Sequence, residues 1–234
     1  MSKRSFSAIA VAFVLASTLA WSGDTSSFVD LGFSADGTRY MFAQYGVEAA
    51  SLKPWAELFV VDVPRNVFVQ DGKRSYVHDA PVVAGQDGSG AFYKLLAEGA
   101  ELASKNKVDF LRQSQPLYLN LDEDTPKSGG GGSIEFRDFE GGISYAATLV
   151  PYVEGTGSEL RSSFFIAVER TAKDGSRTKH TVGTPSFKRP LVSAYRIKRA
   201  VIAPKDGSLV FVVELWKQGA KGSDLRYMVE TLKL

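Results

Sequence analysis

Two histidines, one acidic triplet and one long basic stretch are the places in this 234-residue chain where side-chain chemistry could concentrate. A Ser-His-Asp hydrolase would need His78 or His180 as its base. Asp79 follows His78, but neighbours on an extended strand point to opposite faces, so that carboxylate cannot readily orient the ring. No serine stands in a Gly-x-Ser-x-Gly elbow. Surface or hairpin histidines are the plainer reading. Asp122, Glu123 and Asp124 form the densest oxygen cluster. Calcium takes about 6 to 8 oxygens arranged by a turn, and this run lacks the alternating acids and internal glycine of an EF-hand loop. Solvated linker charge explains it. With no cysteine and two histidines far apart, zinc ligation has no basis. No metal and no cofactor is expected.

Gly85-Gln86-Asp87-Gly88-Ser89-Gly90 precedes a helical pattern, where free backbone amides could hold an anion. Asp87 opposes phosphate there, and neither dinucleotide nor P-loop spacing is present. The segment reads as a strand-to-helix connection capped by Ser89 or Asp87. The candidate binding patch is basic: Arg170, Lys173, Arg177, Lys179, Lys188, Arg189, Arg196, Lys198 and Arg199 stand among mostly uncharged neighbours. Such hairpins could engage anionic headgroups or an acidic protein. The same cations on the solvent side of strands also protect sheet edges. Trp55 and Trp216 could stack on sugars or peptides, but each lies in or beside an apolar run and reads first as core.

The chain opens as an export signal. Ser2, Lys3 and Arg4 form a cationic start, Ala8 to Ala16 is apolar, and Thr18-Leu19-Ala20 offers the small residues of a cleavage site, so the mature chain is expected from Trp21. The uninterrupted apolar stretch from Ala8 to Leu15 is far shorter than the ~20 residues of a bilayer span, so no transmembrane segment is expected in the mature chain. Nucleic acid is a poor partner for such a periplasmic or secreted protein. Without cysteine there is neither a lipidated anchor nor a disulfide, and packing alone must stabilise the product. Removing Lys3 and Arg4 leaves 26 basic residues facing 26 acidic ones. Their distribution is uneven: residues 21–126 carry 9 basic and 15 acidic residues, and residues 127–234 carry 17 and 11.

These side chains must be positioned by a mainly β fold. Five Asp-Gly dipeptides supply positive-φ turn residues, and those at Asp36, Asp71, Asp174 and Asp206 lie between candidate strands. Asp87-Gly88 instead precedes one amphipathic helix, Ser89 to Lys105, with Phe92, Leu95, Leu96, Leu102 and Ala103 on its stripe. Gly99 inside it costs about 1 kcal/mol relative to alanine, so burial of the leucine face must hold it. Long strand patterns run Ile143 to Val153, Phe164 to Arg170, Arg177 to Val182, Tyr195 to Ala203, Leu209 to Trp216 and Leu225 to Leu232. Leu209, Phe211, Val213 and Leu215 occupy one face of their strand while Val210, Val212 and Trp216 occupy the other. Leu58 and Val60 likewise oppose Phe59, Val61 and Val63. Sheets apolar on both faces must be covered twice, which antiparallel meanders stacked face to face achieve, propeller-like or as a capped sandwich. The glycine-rich segment 127–133 is expected as a flexible loop within one domain, 21–234, or as a divider between 21–126 and 134–234.

Phe33-Ser34-Ala35-Asp36-Gly37-Thr38-Arg39-Tyr40-Met41-Phe42 resembles the start of a TolB-like propeller blade, and Ile202-Ala203-Pro204-Lys205-Asp206-Gly207-Ser208-Leu209-Val210-Phe211 is a looser second copy. The stretch from Trp21 to Val47, and the helix followed by Pro116-Leu117-Tyr118-Leu119, resemble a bacterial family of predicted secreted proteins of unknown function. That resemblance implies export and assigns no catalytic or binding residue. The leading expectation is an exported, non-enzymatic protein that binds an envelope protein or other envelope component. The competing class is a glycan or peptidoglycan hydrolase with paired carboxylates, which leave no local signature. The sequence does not set the oligomeric state.

Overall fold

The computed structural model describes residues 23–219 and 221–234. Within them, strand β1 (Ser27–Ser34), β2 (Arg39–Val47), β3 (Pro54–Asp62) and β4 (Val67–Val77) form an antiparallel meander. Two helices follow, α1 (Ser89–Glu98) and α2 (Ala100–Lys105), and then β5 (Val108–Asp109), which adds to β1. The N-terminal sheet is thus ordered β4-β3-β2-β1-β5. Strand β6 (Gln115–Leu119) and the short β7 (Gly129–Gly130) precede the C-terminal sheet. That sheet contains β8 (Gly132–Asp138), β9 (Ile143–Glu154), β10 (Arg161–Thr171) and β11 (Arg177–Val182), with β12 (Arg189–Pro190) beside β10. Finally β13 (Val192–Ile202), β14 (Leu209–Gly219) and β15 (Gly222–Leu232) form a middle sheet with β6 along its β13 edge.

Three cores separate four layers, as the two-faced apolar strands require. Alternate residues of a strand face opposite ways, so β3 sends Leu58 and Val60 toward Phe92 and Leu95 of α1, and Phe59 and Val61 toward the middle sheet. On β14, Val210 and Val212 pack against the N-terminal sheet, while Leu209, Phe211 and Val213 pack against Phe164, Ile166 and Leu149 of the C-terminal sheet. The fold is mainly β, with antiparallel sheets packed together, and the described residues form no closed barrel.

Local chemistry sets several breaks that the linear pattern hides. The single expected helix is two, interrupted at Gly99. A Cβ there would lie 2.6 Å from Leu58 Cδ1, so glycine permits close approach of the helix to β3. The N-cap is Gly88, without a side-chain cap bond; the expected cap residues bond each other instead, Asp87 accepting from the Ser89 amide at 2.9 Å. Asp71-Gly72 is no hairpin turn. It lies within β4, in a bulge where Val69 to Gly72 interrupt pairing with β3, and the preceding turn instead uses Asn66 at φ 53°. The expected loop at 127–133 threads between two sheets: β7 pairs in parallel with Ala194 and Tyr195, and a Cβ on Gly130 would meet Tyr195 O at 2.2 Å. The two turns that resemble each other in sequence also meet, Gly37 facing the Asp206 carboxylate.

Gly99→Ala tests this packing against helix propensity. Propensity alone favours alanine by about 1 kcal/mol, but the added methyl would press on fully buried Leu58 and lie 3.0 Å from the Leu95 carbonyl oxygen, so the substitution should lower stability by about 1–3 kcal/mol in urea unfolding. A stabilised variant would contradict the close-approach account.

Candidate functional site

A cleft of about 800 Å³ opens where β13, β14 and β15 meet residues 122–125 and the N-terminal residues Gly23 and Thr25. It arises because one face of β14 changes character along its length. Val210 and Val212 on that face lie under the N-terminal sheet, and the next two positions, Glu214 and Trp216, line the cleft. A bulge on β13 between Ile197 and Arg199 inserts Lys198, so that Arg196 and Lys198 both reach the same carboxylate.

Glu214 is only 2% exposed, and both its oxygens are engaged. Arg196 donates from Nε and Nη2 to Oε2, each at 2.7 Å. Lys198 Nζ lies 3.6 Å from Oε1, which also accepts from the Tyr227 hydroxyl at 3.4 Å. Burial, reinforced by the Glu214 charge, pushes the Tyr227 hydroxyl up to about 12. Arg196 further donates from Nη1 to Asp124 O at 2.8 Å, and Lys198 approaches Asp122 O at 3.5 Å. The acidic triplet is therefore tethered by its carbonyls, with Asp122 and Glu123 exposed at the cleft. Trp216 is buried beneath the Arg196 guanidinium, 4.8 Å from its ring. Two cations face three carboxylates, so the lining is slightly acidic.

The nine basic residues do not form one surface. Arg196, Lys198 and Arg199 sit on the middle sheet, and Arg199 lies over Phe28 at 5.6 Å. On the C-terminal sheet, Arg177 and Lys179 share Glu169 at 3.2 and 3.7 Å, Arg170 lies across from Tyr145, and Lys173 rests in the following turn. Lys188 pairs with Glu154 at 2.6 Å. Arg189 stacks on Phe164 and Phe187 and faces Glu230 at 3.8 Å. Strand register and pleat, invisible in a linear list, produce this dispersal.

Glu230 forms a second buried polar junction. Asn66, in the turn between β3 and β4, donates to it, and Arg189 reaches it from beside the C-terminal sheet. Burial raises its carboxyl above the ordinary value, against the opposing effects of Asn66 and Arg189. The two histidines stand apart from both junctions: exposed His78, just past the end of β4, has its Nδ1 2.9 Å from the hydroxyl of half-buried Tyr76, and half-buried His180 on β11 has its Nε2 3.2 Å from Thr178 Oγ1. Among the described residues, no group of three or more His, Cys, Asp or Glu is placed to hold a metal ion. Glu214 and Tyr227 escaped the linear reading. A lone carboxylate inside the apolar run 209–216 is nevertheless a usable signal, because buried charge demands a partner.

Stacked antiparallel sheets with a polar, ion-paired cleft define a layered β-protein. Over residues 41–233 the chain matches the family described as Predicted secreted protein (DUF2259), and it belongs to that family. No curated protein matches it. The export signal read at residues 1–20 lies outside the described residues. Among those described, no helix is long and apolar enough to cross a membrane.

Glu214→Ala should be costly because it strands Arg196 and Lys198. A loss of about 3–5 kcal/mol in urea unfolding is expected, and a change below about 1 kcal/mol would show that the cluster is not structural. For Glu230, the folded carboxyl holds its proton to higher pH than the unfolded chain. Its contribution is therefore full below the ordinary value of 4.5 and is lost as pH rises through the raised folded value. Stability profiles of wild type and Glu230→Gln should diverge across that interval, the wild type falling relative to the variant. Parallel profiles would contradict the shift.

Proposed function

We propose that this is an exported binding protein, acting without chemical turnover, whose cleft beside Glu214 receives an envelope component in the periplasm or outside the cell. The observation that carries this reading is the engagement of Glu214 on both oxygens by Arg196, Lys198 and Tyr227. A carboxylate so held builds a fixed polar wall rather than serving as a proton donor or nucleophile. The wall is complemented by the exposed carboxylates of Asp122 and Glu123 and by the side chains of Thr25, Thr125 and Ser223. That chemistry suits a hydroxyl-rich or cationic group: a glycan segment, or a lysine-bearing peptide.

The stacked meanders and the paired Asp36-Gly37 and Asp206-Gly207 turns support the TolB-like analogy, in which sheet ends and loops hold partners. Fold analogy alone transfers function poorly, so the weight rests on the cleft. A second reading, glycan hydrolysis, draws on Asp122 and Glu123 standing in the same cleft as Glu214, Trp216 and Tyr227.

Capture from envelope extract on immobilised mature protein distinguishes these readings. Wild type should retain a component that Thr125→Trp, which fills the cleft from an exposed position, does not retain. Equal capture by both, or none at low or high salt, would contradict cleft binding. Release of reducing ends from peptidoglycan by wild type, abolished in Asp122→Asn/Glu123→Gln, would establish the hydrolase instead.

A further inference from the structure

Each stacked sheet has two outer strands, and the described structure protects five of these six edges. Strand β4 is broken by its bulge and carries Lys73 and Arg74. Strand β5 has two residues, and β6 contains Pro116 and a register shift against β13. Strand β11 bears Arg177 and Lys179. Strand β15 is covered: Leu225 N donates to Asp24 O, Tyr227 N to Gln44 Oε1 and Thr231 N to Asn66 Oδ1. Bulges, prolines, lysines, brevity and cover are the devices by which soluble proteins keep strand edges from pairing. Strand β8 has no bulge, proline or lysine, and among the described residues no hydrogen bond from another element covers its outer edge; its only charges on the exposed face are one of each sign, Glu135 and Arg137. Its seven residues, Gly-Ser-Ile-Glu-Phe-Arg-Asp, pair with β9 in unbroken register, and its other edge has no strand partner.

We propose that β8 pairs antiparallel with β8 of a second copy of this chain, joining two C-terminal sheets across a two-fold axis at Phe136. The charges on β8 select both partner and register. Glu135 and Arg137 share the exposed face, and neither has an ion-pair partner among the described residues, whereas Arg177 and Lys179 on the opposite edge of the sheet share Glu169. An axis at Phe136 sets Glu135 against Arg137 of the second copy, and Arg137 against its Glu135, giving two cross-strand pairs of opposite sign. An axis one residue either way would set Glu135 or Arg137 against itself. The same register brings Phe139, 83% exposed just beyond the strand and beneath the Arg137 guanidinium of its own chain, across from Ser133. Such apolar exposure beside an unguarded edge is what an isologous contact covers.

Sedimentation velocity on the mature chain over a concentration series tests the pairing, with circular dichroism to confirm folding of each variant. A dimer is expected. Glu135→Arg and Arg137→Glu should each raise its dissociation constant about tenfold or more by creating two like-charge contacts. The double exchange should return it to within a few-fold of wild type. Amide exchange across β8 should slow with protein concentration, a readout independent of the substitutions. A monomer throughout the series, single variants that leave the dimer unchanged, or a double variant as weak as the singles would overturn the proposal.

Discussion

The middle sheet is apolar on both faces, and the rest of the molecule follows from satisfying that demand. Val210 and Val212 require one cover, while Leu209, Phe211 and Val213 require another. The N-terminal and C-terminal meanders supply those covers, and the helices then close the face of the N-terminal meander that would otherwise remain open. Burying a large aliphatic or aromatic side chain contributes about 1.5–3 kcal/mol, and β14 alone commits five such residues. No disulfide assists it.

The cleft is a by-product of the same constraint. Where the N-terminal sheet no longer covers β14, the face toward it passes from valine to Glu214, and the β13 bulge turns Lys198 toward that carboxylate. A buried ion pair contributes little net stability, because desolvation opposes attraction. Its consequence is shape: a rigid polar wall at the end of a hydrophobic sheet, with the acidic triplet fastened by its carbonyls to the same two cations. For the binding role proposed for it, such a wall would lower the ordering cost of association, because its polar groups are already fixed.

Much of the layering was legible because period-two alternation records both faces of a strand. The opposed sets on β3 and β14 called for double cover, and the structure provides it. The helix was legible as an apolar stripe, yet its break at Gly99 depends on Leu58, which is distant in sequence. Asp71-Gly72 looked like a hairpin turn because the dipeptide suits a positive φ, and Asp71 does adopt φ 55°, but in a bulge. The basic stretch looked continuous only in one dimension; pleat and register divide it between two sheets. Glu214 was hidden by its apolar neighbours, and nothing local announces that Arg196, Lys198 and Tyr227 converge on it.

Residue-resolved hydrogen exchange tests the central claim most directly, since it reads how deeply each strand is held. The amides of β14 from Val210 to Val213 should be among the slowest in the chain, exchanging only through global unfolding, with β11 far faster. Exchange of β14 at rates like those of β11 would show that the middle sheet is not enclosed on both faces.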